Sequence, residues 1–98
     1  MNNEDFIKQL EFNFKKGIEL IKAKNKDYAK DDDPFKNFKM SEMVGVPISR
    51  AILVRITDKL SRIDNLLDKE ETVKNEKIED TIIDCMNYLN ILLVYLNQ

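Results

Sequence analysis

Apolar residues recur every three or four positions in three stretches of this chain, and each stretch reads as an amphipathic helix. Ile7, Leu10, Phe14, Ile18 and Ile21 step by 3, 4, 4 and 3, which predicts a helix over about residues 4–24. Ile52, Ile56, Leu60, Ile63 and Leu67 predict a second, opened by Pro47 or Ser49 and closing near Asp68. Ile78, Ile82, Cys85, Leu89, Leu92 and Leu96 predict a third over about 73–97. No run alternates apolar and polar residues for long enough to be a strand. The expectation is one all-α domain over 1–98, with three main helices in an antiparallel bundle.

Between the first two helices lies KNKDYAKDDDPFKNF (24–38), whose Asp, Asn and Pro residues favour turns. A short helical turn, SEMVG (41–45), should follow, capped by Ser41 and stopped by Gly45. KEETVKN (69–75) is a polar connector. Ordered loops as long as 24–38 are more often functional than idle. Its Tyr28, Phe35 and Phe38 interleave with Lys24, Lys26, Lys36 and Lys39. Such a mixture can sandwich a base and grip phosphate, and equally can staple a loop onto a small core.

Composition narrows the function. Of the 98 residues, 43% are apolar and 35% charged, as expected of a folded helical domain, and the net charge of −2 disfavours nucleic acid as a partner. There is no His and one Cys, which removes His-based catalysis, a His or multi-Cys zinc site and an internal disulfide. No apolar run reaches the length of a membrane span, and MNNEDFIKQL carries acids where a signal peptide would be basic and then apolar. A cytoplasmic location is expected. Cys85 sits in an apolar stripe and reads as buried filler.

The third helix carries the candidate chemistry. In NEKIEDTIIDCMN (75–87), Glu76, Asp80 and Asp84 follow one another at intervals of four, and Asn87 continues the row. Like charges so spaced repel by roughly 0.2–0.5 kcal/mol per pair. Mg²⁺ or Mn²⁺ among these oxygen ligands would convert the repulsion into attraction, with substrate phosphates completing the shell. The helix dipole accounts for Glu76 near the first turn but not for Asp84. On the second helix Arg55, Asp58, Lys59 and Arg62 share a polar side. Asp58 is a candidate further ligand or base-positioning group, and Lys59 and Arg62 are candidates for phosphate. A simple Asp58–Arg62 ion pair one helical turn apart is the alternative. Late in the third helix Ile91 and Val94 lie opposite the core stripe, which predicts that a second subunit covers them in a homodimer.

The order KNKDYAKDDDPFKNF, DKLSRIDNLL and IEDTIIDCMNYLNILL resembles the phage and bacterial nucleotide modification associated domain 1 family over about residues 20–96. The final helix also resembles, more distantly, the all-α nucleoside triphosphate pyrophosphohydrolases of the MazG-like and dimeric dUTPase group. Those enzymes hold Mg²⁺ with acids on two adjacent helices while water attacks the α–β phosphate linkage. The resemblance implies metal binding by Asp80 and Asp84, and its Lys26–Asp27–Tyr28 match implies a nucleotide-handling role. Joined to the residue pattern, it gives the expectation that Glu76 also holds metal, that Asp58 and Asp84 serve catalysis, and that Lys26, Tyr28, Lys59, Arg62 and Asn87 contact phosphate or nucleoside. The acids here are four apart rather than three, and the preceding helix offers Asp58 alone. The expected activity is that of a Mg²⁺-dependent nucleotide-processing protein of phage type, working in the host cytoplasm. The alternative is an accessory or counter-defence module that binds a nucleotide or a host protein without catalysis.

Overall fold

A computed structural model describes residues 1–27, 33–69 and 76–98, with side chains throughout except at 25–27, 76 and 77. Every regular element among them is helical: α1 (Asn3–Asp27), α2 (Lys36–Lys39), a 3₁₀ turn (Met40–Val44), α3 (Ile48–Leu67) and α4 (Glu76–Leu96). The all-α expectation stands, and three main helices become four, since KNFK forms α2 inside the predicted loop. None of these helices is long and apolar enough to cross a membrane.

Local chemistry accounts for the ends. The Asp5 N–H donates to Asn2 Oδ1 at 2.8 Å, and Glu4 and Asp5 occupy the first turn of α1, where the helix dipole favours acids. The Pro47 carbonyl accepts the first α3 amides, from Arg50 and Ala51. Gly45 ends the 3₁₀ turn in the left-handed region (φ 77°), as anticipated. Ser41 does not cap that turn. Its hydroxyl lies 2.8 Å from the carbonyls of both Phe38 and Val46, so it ties α2 to the segment leading into α3.

The core forms between α3 and α4. Ile48, Ile52 and Ile56, from the first half of α3, surround Cys85, with Tyr88, Leu92 and Tyr95 of α4 packed around them. The start of α3 thus meets the end of α4, and the two run in opposite directions. Two loop phenylalanines close this end: Phe35 meets Tyr95 edge-on at 5.2 Å, and Phe38 meets Tyr88 at 6.4 Å. Both phenylalanines staple this segment to the core, and Phe38 also lines a cleft. It also rotates α4 by roughly 60° from the expected stripe. Ile78, Thr81 and Cys85 are buried, whereas Ile82, Leu89 and Leu96, expected inside, are exposed. Leu60 and Leu67 of α3, also expected inside, are exposed.

Two further expectations need correcting. Ile91, expected opposite the core stripe, is half-buried against the core cluster, and of the pair only Val94 remains exposed. The α1 stripe forms as a stripe, yet Ile7, Leu10, Phe14 and Ile18 are all exposed. Contact with α4 centres on the second half of α1, where Gly17 meets Asn87 and Lys24 reaches Asp84. The radius of gyration is 15.6 Å, against about 12.6 Å expected of a compact chain of this length.

Candidate functional site

On α4 the row Asp80, Asp84 and Asn87 lies on the side where α1 docks. The Asn87 amide Nδ2 donates to the Gly17 carbonyl at 3.1 Å. Asp84 is half-buried between two lysines, with Oδ1 3.8 Å from Lys24 Nζ on α1 and Oδ2 3.5 Å from Lys59 Nζ on α3. Two ammonium groups relieve the crowding of Asp84 with its neighbours, so much of the repulsion along the row is answered within the chain. Lys59 is 27% exposed and Asp84 29%, so water screens this pair less than it screens the exposed pairs of α1.

Beside Asp84 opens a cleft of about 170 Å³. Ile21 and Lys24 line it from α1, Pro34, Asn37 and Phe38 from the loop and α2, and Asp84, Asn87, Tyr88 and Ile91 from α4. Its walls offer one carboxylate, one ammonium, two amides and a phenol among apolar and aromatic surfaces. A cavity of about 150 Å³ holds a benzene-sized group. This cleft therefore takes one ring or one phosphate, not a whole nucleotide.

The remaining site residues are dispersed. Asp58 and Arg62 are exposed on α3. Asp58 precedes Lys59 by one residue, which turns it about 100° away, so the α3 side chain that reaches Asp84 is the lysine. Asp80 is exposed. Among the described residues no three acidic or thiol side chains gather closely enough to share an ion. The expectations for Lys26, Tyr28 and Glu76 fall outside the described side chains. Tyr88, Asn37 and Ile21 were missed as cleft residues. Tyr88 was within reach, since it completes the Asn-Tyr pair of the third helix. Asn37 and Ile21 carry no signal that marks them.

The cleft rim depends on one more ion pair. Asp33 Oδ1 accepts the Phe35 N–H at 3.0 Å, and its other oxygen pairs with Lys39. The Lys39 hydrogen bond, then the Phe35 amide, hold the Asp33 carboxyl below its ordinary value. A depressed carboxylate stabilises the fold above the unfolded-state pKa, and that contribution is lost as pH falls through the lower folded value. An NMR titration is expected to give Asp33 a midpoint below 3.8, and Lys39→Ala should move it back up. An unchanged midpoint in that variant would remove Lys39 as the cause. Cys85 is buried in the core, where desolvation pushes its thiol up against a smaller opposing effect of Lys59.

No family model, curated protein or solved structure matches this chain. Its chemistry must be read from its own residues.

Proposed function

We propose that this chain binds a nucleotide or similar phosphorylated small molecule with one ring or one phosphate seated in the cleft between α1, α2 and α4 and the rest of the ligand outside it, Mg²⁺ or Mn²⁺ entering alongside. The carrying observation is Asp84 held between Lys24 and Lys59 at the cleft. Ammonium groups that now balance one carboxylate can turn to phosphate oxygens when these arrive. Phe38 and Tyr88 offer aromatic surface to a ring entering the cleft.

The donor set suits a cation that keeps several waters and takes only one or two carboxylates, the ligand's phosphates supplying the rest. Asp84 would be the principal ligand, with Asp80 one turn earlier and the Asn37 amide oxygen as weaker contributors. When bound, such an ion lowers the pKa of a coordinated water and neutralises phosphate charge. With so few acids the ion is held weakly, which favours binding over pyrophosphate release. Lys24 and Lys59 hold the Asp84 carboxylate in place, and Asn87 sets the distance between α1 and α4.

Thermal unfolding with Mg²⁺ and a panel of deoxynucleoside triphosphates tests this reading. Ligand at a hundredfold excess over its dissociation constant adds about 2.7 kcal/mol to the native state. The midpoint should rise with nucleotide and Mg²⁺ together, less so in Lys24→Ala, and without pyrophosphate release. Pyrophosphate release that disappears in Asp84→Ala would make the protein a hydrolase instead. If no nucleotide moves the midpoint, the nucleotide reading falls.

A further inference from the structure

Among the described residues, one apolar face of α1 is left exposed by the other elements. Phe6, Ile7, Leu10, Phe14 and Ile18 occupy an arc of about 120°, and their exposures run from 38% for Ile18 to 56% for Phe14. Together they leave on the order of 500 Å² of apolar surface, at the level that marks an interaction site on a monomer. Val94, 57% exposed, adds to it from the side of α4 nearest α1. If the register set by Gly17 and Asn87 continues, Leu10 falls level with Val94 and Phe6 lies past Leu96, where α4 ends, so cover by α4 runs out along the apolar half of α1.

We propose that a second copy of this chain occupies this face, the two α1 helices pairing antiparallel about a two-fold axis near residues 12–13. The charges beside the apolar arc select this partner and this direction. Glu4, Lys8, Glu11, Lys15, Glu19 and Lys22 lie on one flank within about 80° of arc and alternate strictly in sign. An alternating row of six becomes its own complement when reversed. Glu4 then faces the partner's Lys22, Lys8 the partner's Glu19, and Glu11 the partner's Lys15. A two-fold axis of this kind brings the same flank of each helix together, and the apolar pairs Phe6 with the partner's Ile18 and Leu10 with the partner's Phe14 centre between one and two residues from the charge pairs. A parallel pair would turn this flank toward the partner's other flank, where Gln9 and Asn13 carry no charge, and the row would lose its complement. Within one chain Glu4–Lys8 and Glu19–Lys22 already pair at 3.3 and 3.7 Å, both well exposed. They can exchange partners without stripping a buried charge.

This inference does not depend on the nucleotide reading, and its test contains no nucleotide or metal. Sedimentation equilibrium should return twice the 11.5 kDa chain mass for the wild type. Leu10→Glu with Phe14→Glu should return the single-chain mass while cooperative unfolding of the α3–α4 core persists. Should that variant lose its fold, the charge variants decide. Glu11→Lys should weaken the dimer by about tenfold, and adding Lys15→Glu should restore it to within about twofold, because opposite signs face each other again. A wild type of single-chain mass throughout, or a dimer indifferent to Leu10→Glu with Phe14→Glu, overturns the proposal. So does a Glu11→Lys defect that Lys15→Glu fails to repair, since the helices would then not be antiparallel.

Discussion

Ile52→Ala should lower the unfolding free energy by about 3 kcal/mol, within the range for large-to-small changes at buried sites. Among the described residues Ile52 is the one large side chain with no solvent exposure, and it sits with Ile48, Ile56 and Cys85 where α3 crosses α4. Truncation removes three carbons from water-free contact and leaves a void. Half-buried Phe38, Tyr88 and Tyr95 stand at its edge and can relax into part of it, which keeps the cost below the top of the range. A domain of this size has only about 5–15 kcal/mol in hand, so the loss is a substantial share. It corresponds to a fall in Tm of about 12–24 °C. The comparison that gives the number meaning is Leu60→Ala. Leu60 belongs to the same sequence stripe but is 54% exposed, and its loss should cost under about 1 kcal/mol. Urea unfolding followed by circular dichroism measures both at one protein concentration. Equal costs at the two positions would mean that the α3 face is not turned as described.

Gly17→Leu should detach α1 from α4 despite favouring the helix itself. Replacing a mid-helix glycine with leucine gains roughly 1 kcal/mol of propensity. A Cβ at Gly17, however, would lie 2.7 Å from Asn87 Oδ1. Asn87 cannot swing away freely, because its Nδ2 donates to the Gly17 carbonyl. The bulk of leucine must therefore push the helices apart, breaking that bond and the reach of Lys24 to Asp84. A net loss of about 2 kcal/mol is expected, the mechanism being overpacking at a close contact. Native-state hydrogen exchange locates it: α1 amides near residue 17 should lose protection while those of α3 keep theirs. Gly17→Ala combined with Asn87→Ala should be milder than the sum of the two, because removing the amide clears the space the methyl needs. A Gly17→Leu protein as stable as the wild type would refute the close contact.

Much of this architecture was legible before any coordinates. The intervals of three and four placed the long helices to within a few residues, because the apolar period reports backbone repeat directly. Gly45 as a stop was equally plain, since its left-handed φ suits glycine. The sequence marks Asp84 as a candidate metal ligand in an acidic row and Lys59 as a candidate phosphate contact on a polar side, and the two side chains meet. Their partnership was not foreseen: the acidic row suggested an ion, and the structure supplies two lysines. Lys24 comes from more than fifty residues away, and nothing local to α4 announces it.

The apolar repeat along the chain thus determines that these segments coil and which broad side of each avoids water. It does not determine which turn of the coil meets a neighbour. That choice came from contacts distant in sequence: the rings of Phe35 and Phe38 drew Tyr95 and Tyr88 inward and turned α4. Gly17 let α1 approach Asn87 at one point and left its first half bare. A periodic stripe is a property of one helix, whereas burial belongs to a pair, and only the folded arrangement says which pairs exist.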